Sequence, residues 1–481
     1  MNNDQEIEKD KQKSRRPSFI SQLLVQGLLP LKTNSEPITI NTLISFEGAH
    51  ENCPTEDDLV PVVEQLCRHH PRLSGIPTSG FSSSFSKCYF EECDTIDPKD
   101  MIRSVELDCD SLNDVITIVD EEANVCLRHK ERNLPWWEFV ILSNKGEAES
   151  IVIFRTDHAI GDGFSIGQVC MKILTNSDGS PIKDFLPKGM KSNKDSVLRQ
   201  SKLVLAWKLL CGIGKTMILP WRRRDHKTAF GKNTLGRLPY SGIRKSIIFD
   251  PIPLPFLKEL KNAAECSLND VLMVALSQAM NEYCEERDCP MLKKHGAKTR
   301  CKVLIAVGFP SERLHNGFCM SPVDLSIGVK GPRDRIARTR RITSDLKSSL
   351  EPHCTMVLGN KIMPFLPSFL TRLVFHEIYT KYHFIFSSVP GPADEVKLAG
   401  KKVSRCRVFV RLVVPNITAL SYNDEVHILL TADDEAISNV HLLPALYMKG
   451  LVKIATEFGV TVPEVVQDAA CKAEGQLFDI I

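Results

Sequence analysis

Helical and strand-like segments are mixed in both halves of this 481-residue chain, with no regular βαβ alternation. That mixture predicts an α/β (α+β) protein. Length adds a second inference, because a single hydrophobic core stops growing at roughly 250–300 residues, so two lobes are expected. Composition agrees with a globular protein: 43% of residues are hydrophobic and 25% charged.

The elements follow in chain order. Residues 1–17 are polar and charged and predict a disordered tail. A basic stretch from Lys9 to Arg16 then precedes the apolar run Phe19 to Leu29, a superficial likeness to a signal peptide. Two glutamines interrupt the run and no small-residue cleavage site follows, so an amphipathic helix is expected instead. Pro37 to Phe46 is rich in β-branched residues and predicts the first strand. Thr55, with Asp58 three residues on, makes a capping-box start for a helix reaching about His70. Residues 111–130 alternate acidic and apolar positions at helical spacing. A strand over Glu138–Leu142, a Lys145-Gly146 turn and a strand over Ser150–Thr156 predict a hairpin that ends at His158. Residues 176–197 are rich in loop formers, and Leu203–Leu219 is apolar but carries Lys208 and Lys215 before Arg222-Arg223-Arg224.

The second half repeats the mixture. Helices are expected at 269–286, at 333–350 behind Pro332, and near 440–457. Strands are expected at 302–307, 382–388, 405–414 and 425–431. The division read from these patterns is a tail over 1–17, a first lobe over 18–224, a linker over 225–244 and a second lobe over 245–481.

Bulk properties remove several functions. A net charge of +2 leaves no global argument for nucleic acid. The 16 cysteines are scattered, with no Cys-x-x-Cys pair and no zinc-site spacing, which fits reduced core thiols in a cytosol-facing protein. His69-His70 invites a metal reading, but adjacent side chains at a helix end diverge and no acidic or Cys partner is suitably spaced, so no metal is expected. No run of eighteen uninterrupted apolar residues occurs.

The candidate chemistry lies at His158-Ala-Ile-Gly-Asp162-Gly163. The β-branched run from Ile151 to Asp157 predicts a buried strand, and Gly161 and Gly163 predict a sharp exit turn into a helix. A histidine delivered to a strand end can project into a cleft as a general base, since imidazole titrates near neutrality. Asp162 then fixes the turn rather than touching substrate. The alternative is a strand-end histidine merely bonded to a nearby Asp.

Further along, Pro135-Trp136-Trp137-Glu138, Asn269-Asp270, Ser387-Ser388-Val389-Pro390-Gly391-Pro392 and Ser421-Tyr422-Asn423 occur in that order. Together with the His158 segment they resemble the motifs of the wax ester synthase/diacylglycerol acyltransferase (WS/DGAT) family, relatives of the chloramphenicol acetyltransferase and condensation-domain superfamily. The family's His-His-x-x-x-Asp-Gly falls on Asp157, His158, Asp162 and Gly163, its Pro-Leu-Trp-Glu on 135–138, its Asn-Asp on 269–270 and its Ser-Asn-Val-Pro-Gly-Pro on 387–392. The resemblance implies two chloramphenicol acetyltransferase-like lobes, each a mixed sheet flanked by helices, with a substrate channel between them. It also implies acyl-CoA as co-substrate without a further cofactor, a long-chain alcohol or diacylglycerol as acceptor, and His158 as the base.

Two positions depart from the pattern. Asp157 replaces the first histidine; strand alternation turns it to the face opposite His158, where it is structural, or an early turn lets it shift the His158 pKa. Ser388 replaces Asn with a shorter hydrogen-bonding side chain. Other residues carry two readings. Asn269 is an oxyanion donor or a helix N-cap. Trp136 and Trp137 line an acyl tunnel or fill the core, and Pro390-Gly391 shapes the lobe contact. Leu203–Leu219 with its basic neighbours is an interface helix or a helix buried between lobes. Long-chain substrates favour the interface, and with it a peripheral place on endoplasmic reticulum or lipid-droplet membrane, plasma membrane being the alternative.

Overall fold

The computed structural model describes residues 18–25, 38–48, 50–78, 89–93, 96–127, 132–182, 201–229, 241–309, 313–379, 381–412, 414–433, 437 and 439–478. In the first half, the elements are α1 (Phe19–Val25), β1 (Thr39–Phe46), α2 (Glu56–His69), β2 (Gly75–Thr78), β3 (Tyr89–Glu92), β4 (Ile102–Leu107), α3 (Leu112–Asn124), β5 (Trp137–Asn144), β6 (Ser150–Asp157), α4 (Gly163–Ile173), β7 (Leu174–Asn176) and α5 (Lys202–Ile218). The second half starts with β8 (Arg244–Ile248), β9 (Ile252–Pro253), α6 (Leu254–Ala263), α7 (Leu268–Glu286), α8 (Pro290–His295), β10 (Lys302–Gly308), β11 (Phe318–Asp324), α9 (Pro332–Ser348), α10 (Glu351–Lys361) and α11 (Ser368–Tyr379). It ends with β12 (Phe384–Val389), β13 (Val396–Leu398), β14 (Lys401–Lys402), β15 (Arg405–Val410), β16 (Asn416–Tyr422), β17 (Glu425–Asp433), α12 (Leu443–Phe458) and α13 (Glu464–Phe478).

Two sheets organise these elements. The first has the order β15-β1-β6-β5-β4, and the second β11-β10-β12-β16-β17-β8. The expected hairpin is present, β5 and β6 pairing antiparallel with Glu138 opposite Arg155. Both faces of the first sheet are covered, which explains why β6 is buried along its whole length. Phe139, Ile141 and Phe154 pack under α2 and α4, while Val140, Leu142 and Ile153 pack under α3. In the second lobe, α7 is buried nearly all round, with α12 and strands β10, β12 and β16 against it. The Thr55–Asp58 capping box opens α2 as the sequence requires, Asp58 N donating to Thr55 Oγ1 at 3.3 Å and Thr55 N to Asp58 Oδ2 at 2.9 Å.

The halves are not separated cleanly at 225–244. Strand β15 leaves the second half and pairs with β1 from Ile40–Val410 to Ser45–Arg405, and β13 pairs with β7. The run expected at 405–414 therefore ends as a strand at Val410. Pro415 lacks an N–H for a ladder, and beyond it Asn416–Tyr422 belongs to the other sheet. The start of the linker is pinned rather than free: buried Asp225 accepts from Lys302 N at 2.7 Å and from His383 Nδ1 at 3.2 Å. Residues 230–240 of that linker, the 1–17 tail and residues 183–197 of the loop region lie outside the described residues.

Helix α5 is not buried between the lobes. Gly212 is its one buried residue, and it lies along α10 on the outside of the second half. With the turn that follows to Trp221, it is long and apolar enough to cross a membrane by length and composition alone, a property that Lys208 and Lys215 inside it hide from a search for uninterrupted apolar runs.

Candidate active site

His158 directly follows β6, and its N–H donates to Ile38 O at 2.9 Å, extending the β1–β6 ladder by one residue. The chain then turns at once. Ile160 N donates to Asp157 O at 3.0 Å, and Ala159 N donates to the Asp157 carboxylate at 2.9 Å. Asp157 is thus buried and spent on its own turn, a role that asparagine and aspartate side chains perform and histidine does not. Arg72 Nη1 holds the far side of the turn through Ile160 O at 3.0 Å.

Asp162 caps α4, its Oδ1 accepting from Ser165 N at 2.8 Å. Its second oxygen accepts from Gly317 N at 2.8 Å, and Asp162 N donates to His315 O at 3.2 Å. This one carboxylate therefore ties the His158 turn of the first lobe to the 315–317 loop that enters β11 of the second. Gly161 and Gly163 correct the expectation of a glycine-specific turn, since neither has a positive φ. Gly161 is crowded instead: a Cβ there would lie 2.6 Å from Ser165 Oγ, so that hydroxyl would have to shift. Gly163 is the first residue of α4, and a Cβ there would meet nothing within 4 Å.

The 315–317 loop supplies the residue that sequence patterns do not reveal. His158 Nδ1 lies 3.1 Å from Asn316 Oδ1, while Asn316 Nδ2 donates to His158 O at 2.7 Å and to Ser21 Oγ at 2.9 Å. Those contacts orient the amide, so its oxygen faces the ring and can only accept. Nδ1 accordingly carries the proton and Nε2 keeps its lone pair, the tautomer a base needs. Phe318 lies beside the ring at a centroid distance of 5.7 Å. Burial holds the His158 pKa below the ordinary histidine value, against the opposing charges of Asp162 and Asp157 and the Asn316 bond. A His-Asn-Gly triplet reads locally as a loop. Its pairing with a residue 158 positions away is a long-range contact without a local signal.

Other sequence candidates separate into near and far. Trp136 O accepts from Asp157 N at 2.9 Å, which places the Pro135–Trp137 segment against the turn. Trp137 does not line a tunnel: it is fully buried, donates Nε1–H to Leu73 O at 2.7 Å, and packs edge-on to Phe139 and Phe154. Trp136 is partly buried against the same core, and Pro135 is buried. Strand β12 packs against α4, and its Ser388 sits opposite Ala419 of β16, with Pro390 just beyond the strand's end. Gly391 N donates to Ser421 Oγ at 3.2 Å, and a Cβ there would sit 2.2 Å from Ser421 O, so only glycine fits.

Asn269 is exposed at the second position of α7 and is not its cap. The cap is Ser267, whose backbone N–H donates to Asp270 Oδ2 at 2.9 Å in return, while Asp270 Oδ1 accepts from Thr343 Oγ1 at 2.8 Å. Asp270 is therefore a buried helix anchor. A cavity of about 400 Å³ opens near the start of β6, lined in part by Glu149, Ile248, Phe249, Arg405 and Arg407; none of its lining residues belongs to the His158 turn.

The architecture is that of a known class, the two-lobed chloramphenicol acetyltransferase-like fold. The solved structure of a wax ester synthase/diacylglycerol acyltransferase from Marinobacter aquaeolei VT8 superposes with a TM-score of 0.58 at 17% identity, covering 92% of this chain and 100% of that one. The starter condensation domain of rhizomide synthetase, solved in complex with C8-CoA, superposes with a TM-score of 0.52 at 12% identity over 92% of this chain and 95% of that one. Residues 315–454 match the WS/DGAT C-terminal domain. Wax ester synthase/diacylglycerol acyltransferase 2 of Arabidopsis thaliana is 22% identical over 83% of this chain and 89% of its own length, and number 6 of the same plant is 22% identical over 66% and 71%. In its C-terminal domain and across most of its length, the chain is thus similar to WS/DGAT acyltransferases.

Proposed function

We propose that this protein transfers the acyl group of a long-chain acyl-CoA to a fatty alcohol, forming a wax ester, with diacylglycerol as a second acceptor. The observation that carries the proposal is the contact of His158 Nδ1 with Asn316 Oδ1 in a buried setting, from which Nε2 is left as the neutral base. The acceptor hydroxyl gives its proton to Nε2 as its oxygen attacks the thioester carbonyl. The tetrahedral intermediate collapses with cleavage of the C–S bond, and the imidazolium returns the proton to the leaving thiolate. Ester and free CoA result, with no covalent enzyme intermediate. Binding acyl-CoA and acceptor in a channel between the lobes brings the two reactants together at the His158 turn, which both lobes build.

The match of residues 315–454 to the WS/DGAT C-terminal domain and the order of the motifs support the substrate classes. The test is purified full-length protein supplied with palmitoyl-CoA and, in parallel, hexadecanol or dipalmitoylglycerol, with ester product and free thiol both measured. Equimolar wax ester and CoA are expected, with less triacylglycerol. Tight acyl-CoA binding without ester from either acceptor would overturn the proposal.

A further inference from the structure

Among the described residues, thirteen of the seventeen exposed large apolar side chains lie on α5 and the turn after it or on the α10–α11 segment packed beside it. That concentration is a patch, not the usual scatter. Leu203, Trp207, Leu210 and Trp221 are 84%, 68%, 65% and 75% exposed, and Phe365 and Phe369 add 73% and 72%. The side of α5 nearest protein combines Gly212, Thr216 and Lys208 with half-buried Leu205 and Ile213. Gly212 lets the helix close on α10, where a Cβ would sit 2.8 Å from Cys354 Sγ. Thr216 Oγ1 meets Thr355 Oγ1 at 2.9 Å, and Lys208 Nζ reaches Ser348 O at 3.1 Å. A helix that turns its largest apolar side chains outward is inverted relative to a water-facing one. Its outer medium is apolar.

Charge identifies that medium. Residues 201–224 carry Lys202, Lys208, Lys215, Arg222, Arg223 and Arg224 and no acidic residue. Arg222 and Arg224 are held by Glu351 and Glu377, each at 2.8 Å, on α10 and α11. Because α5, from Lys208 to Thr216, packs on α10 and the residues leading into it, it presents its side, not its end. We propose that α5, α10 and α11 together dock the protein in the plane of an anionic phospholipid bilayer, apolar side chains inserted and cations at the headgroups. A second copy of the chain fits less well, since a two-fold contact would set this cationic patch against itself.

The surface also lies close to the site. Helix α10 packs on β11, whose first residue Phe318 is the neighbour of His158. It also binds α1 through Asn360 Oδ1 and Phe19 N at 3.2 Å, and α1 in turn reaches Asn316 through Ser21. Docking there brings bilayer-dissolved acceptor within one structural layer of the base. In this it rests on the acyltransferase reading, while the surface itself stands on separate residues.

The test is flotation of full-length protein with vesicles of phosphatidylcholine alone or mixed with phosphatidylserine. Wild type is expected to float with the mixed vesicles, and Trp207→Glu/Phe369→Glu to lose at least about tenfold in binding. Lys202→Glu/Arg223→Glu keeps the apolar side chains and is expected to lose the preference for anionic vesicles. Turnover of butyryl-CoA with hexanol, both water-soluble, is expected to be unchanged in both variants, which establishes that they fold. Equal flotation of wild type and the Trp207/Phe369 variant overturns the proposal. So does wild type that ignores both vesicles and forms a dimer abolished by the same substitutions. Absence of turnover in wild type counts against the acyltransferase reading and leaves flotation to decide the surface.

Discussion

Burial and hydrogen bonding pull the His158 proton in opposite directions. Desolvation disfavours the imidazolium, whereas Asp162, Asp157 and the Asn316 amide favour it, and burial is the larger effect. The pKa therefore lies below the ordinary value of about 6.5. The base form predominates at neutral pH, so kcat/KM falls only as pH drops through the depressed value, with its acid limb below about pH 6.5. Asn316 tunes this limb as a positioning residue. Asn316→Ala removes the ring's acceptor and one favourable contact to the charged form. It is expected to move the acid limb to lower pH and lower kcat roughly 100-fold through loss of ring orientation. Asn316→Asp keeps the acceptor and adds negative charge, and is expected to move the limb upward. A pH–rate profile of the two variants checks both signs, and limbs that coincide with wild type would remove Asn316 from this role.

Among the elements, the β5–β6 hairpin holds the turn in place, and its least obvious component is charged. Arg155 Nη1 bonds Glu138 Oε1 at 2.6 Å with both side chains buried, and Arg103 of β4 approaches the same carboxylate at 3.4 Å. Val125 O takes the other Arg155 nitrogen at 2.9 Å. This explains why the Pro-Trp-Trp-Glu segment ends in a carboxylate: Glu138 neutralises an arginine inside the sheet that delivers His158. Glu138→Ala strands that arginine and is expected to cost about 3–5 kcal/mol. Urea denaturation of the variant measures it, and a loss under about 1 kcal/mol would mean that the pair is not load-sharing in this sheet. At Gly391 the constraint is steric, because the backbone of the Pro-Gly-Pro turn runs against the Ser421 carbonyl.

For the molecule as a whole, local patterns carried the elements and motif order carried the family. The capping box at Thr55, the hairpin ending at His158, and the helices at Leu268 and Pro332 were legible because each is written in contiguous residues. The exchange of β15 into the first sheet was not, since an apolar strand does not encode which sheet it joins. Asn316 escaped for the same reason: its partner is distant in sequence and its own neighbours spell a loop. The α10–α11 pair was also missed, and with it the fact that α5 has a companion surface. Two lobes that interlock through β15 and through Asp162 make one site from both halves, and His158 is the point on which its proposed chemistry turns. The decisive measurement is ester formation from palmitoyl-CoA and hexadecanol by His158→Ala beside wild type, with circular dichroism confirming equal folding. The expected result is a loss of about 10²–10⁴-fold in turnover with acyl-CoA binding retained. Turnover equal to wild type would show that His158 is not the base.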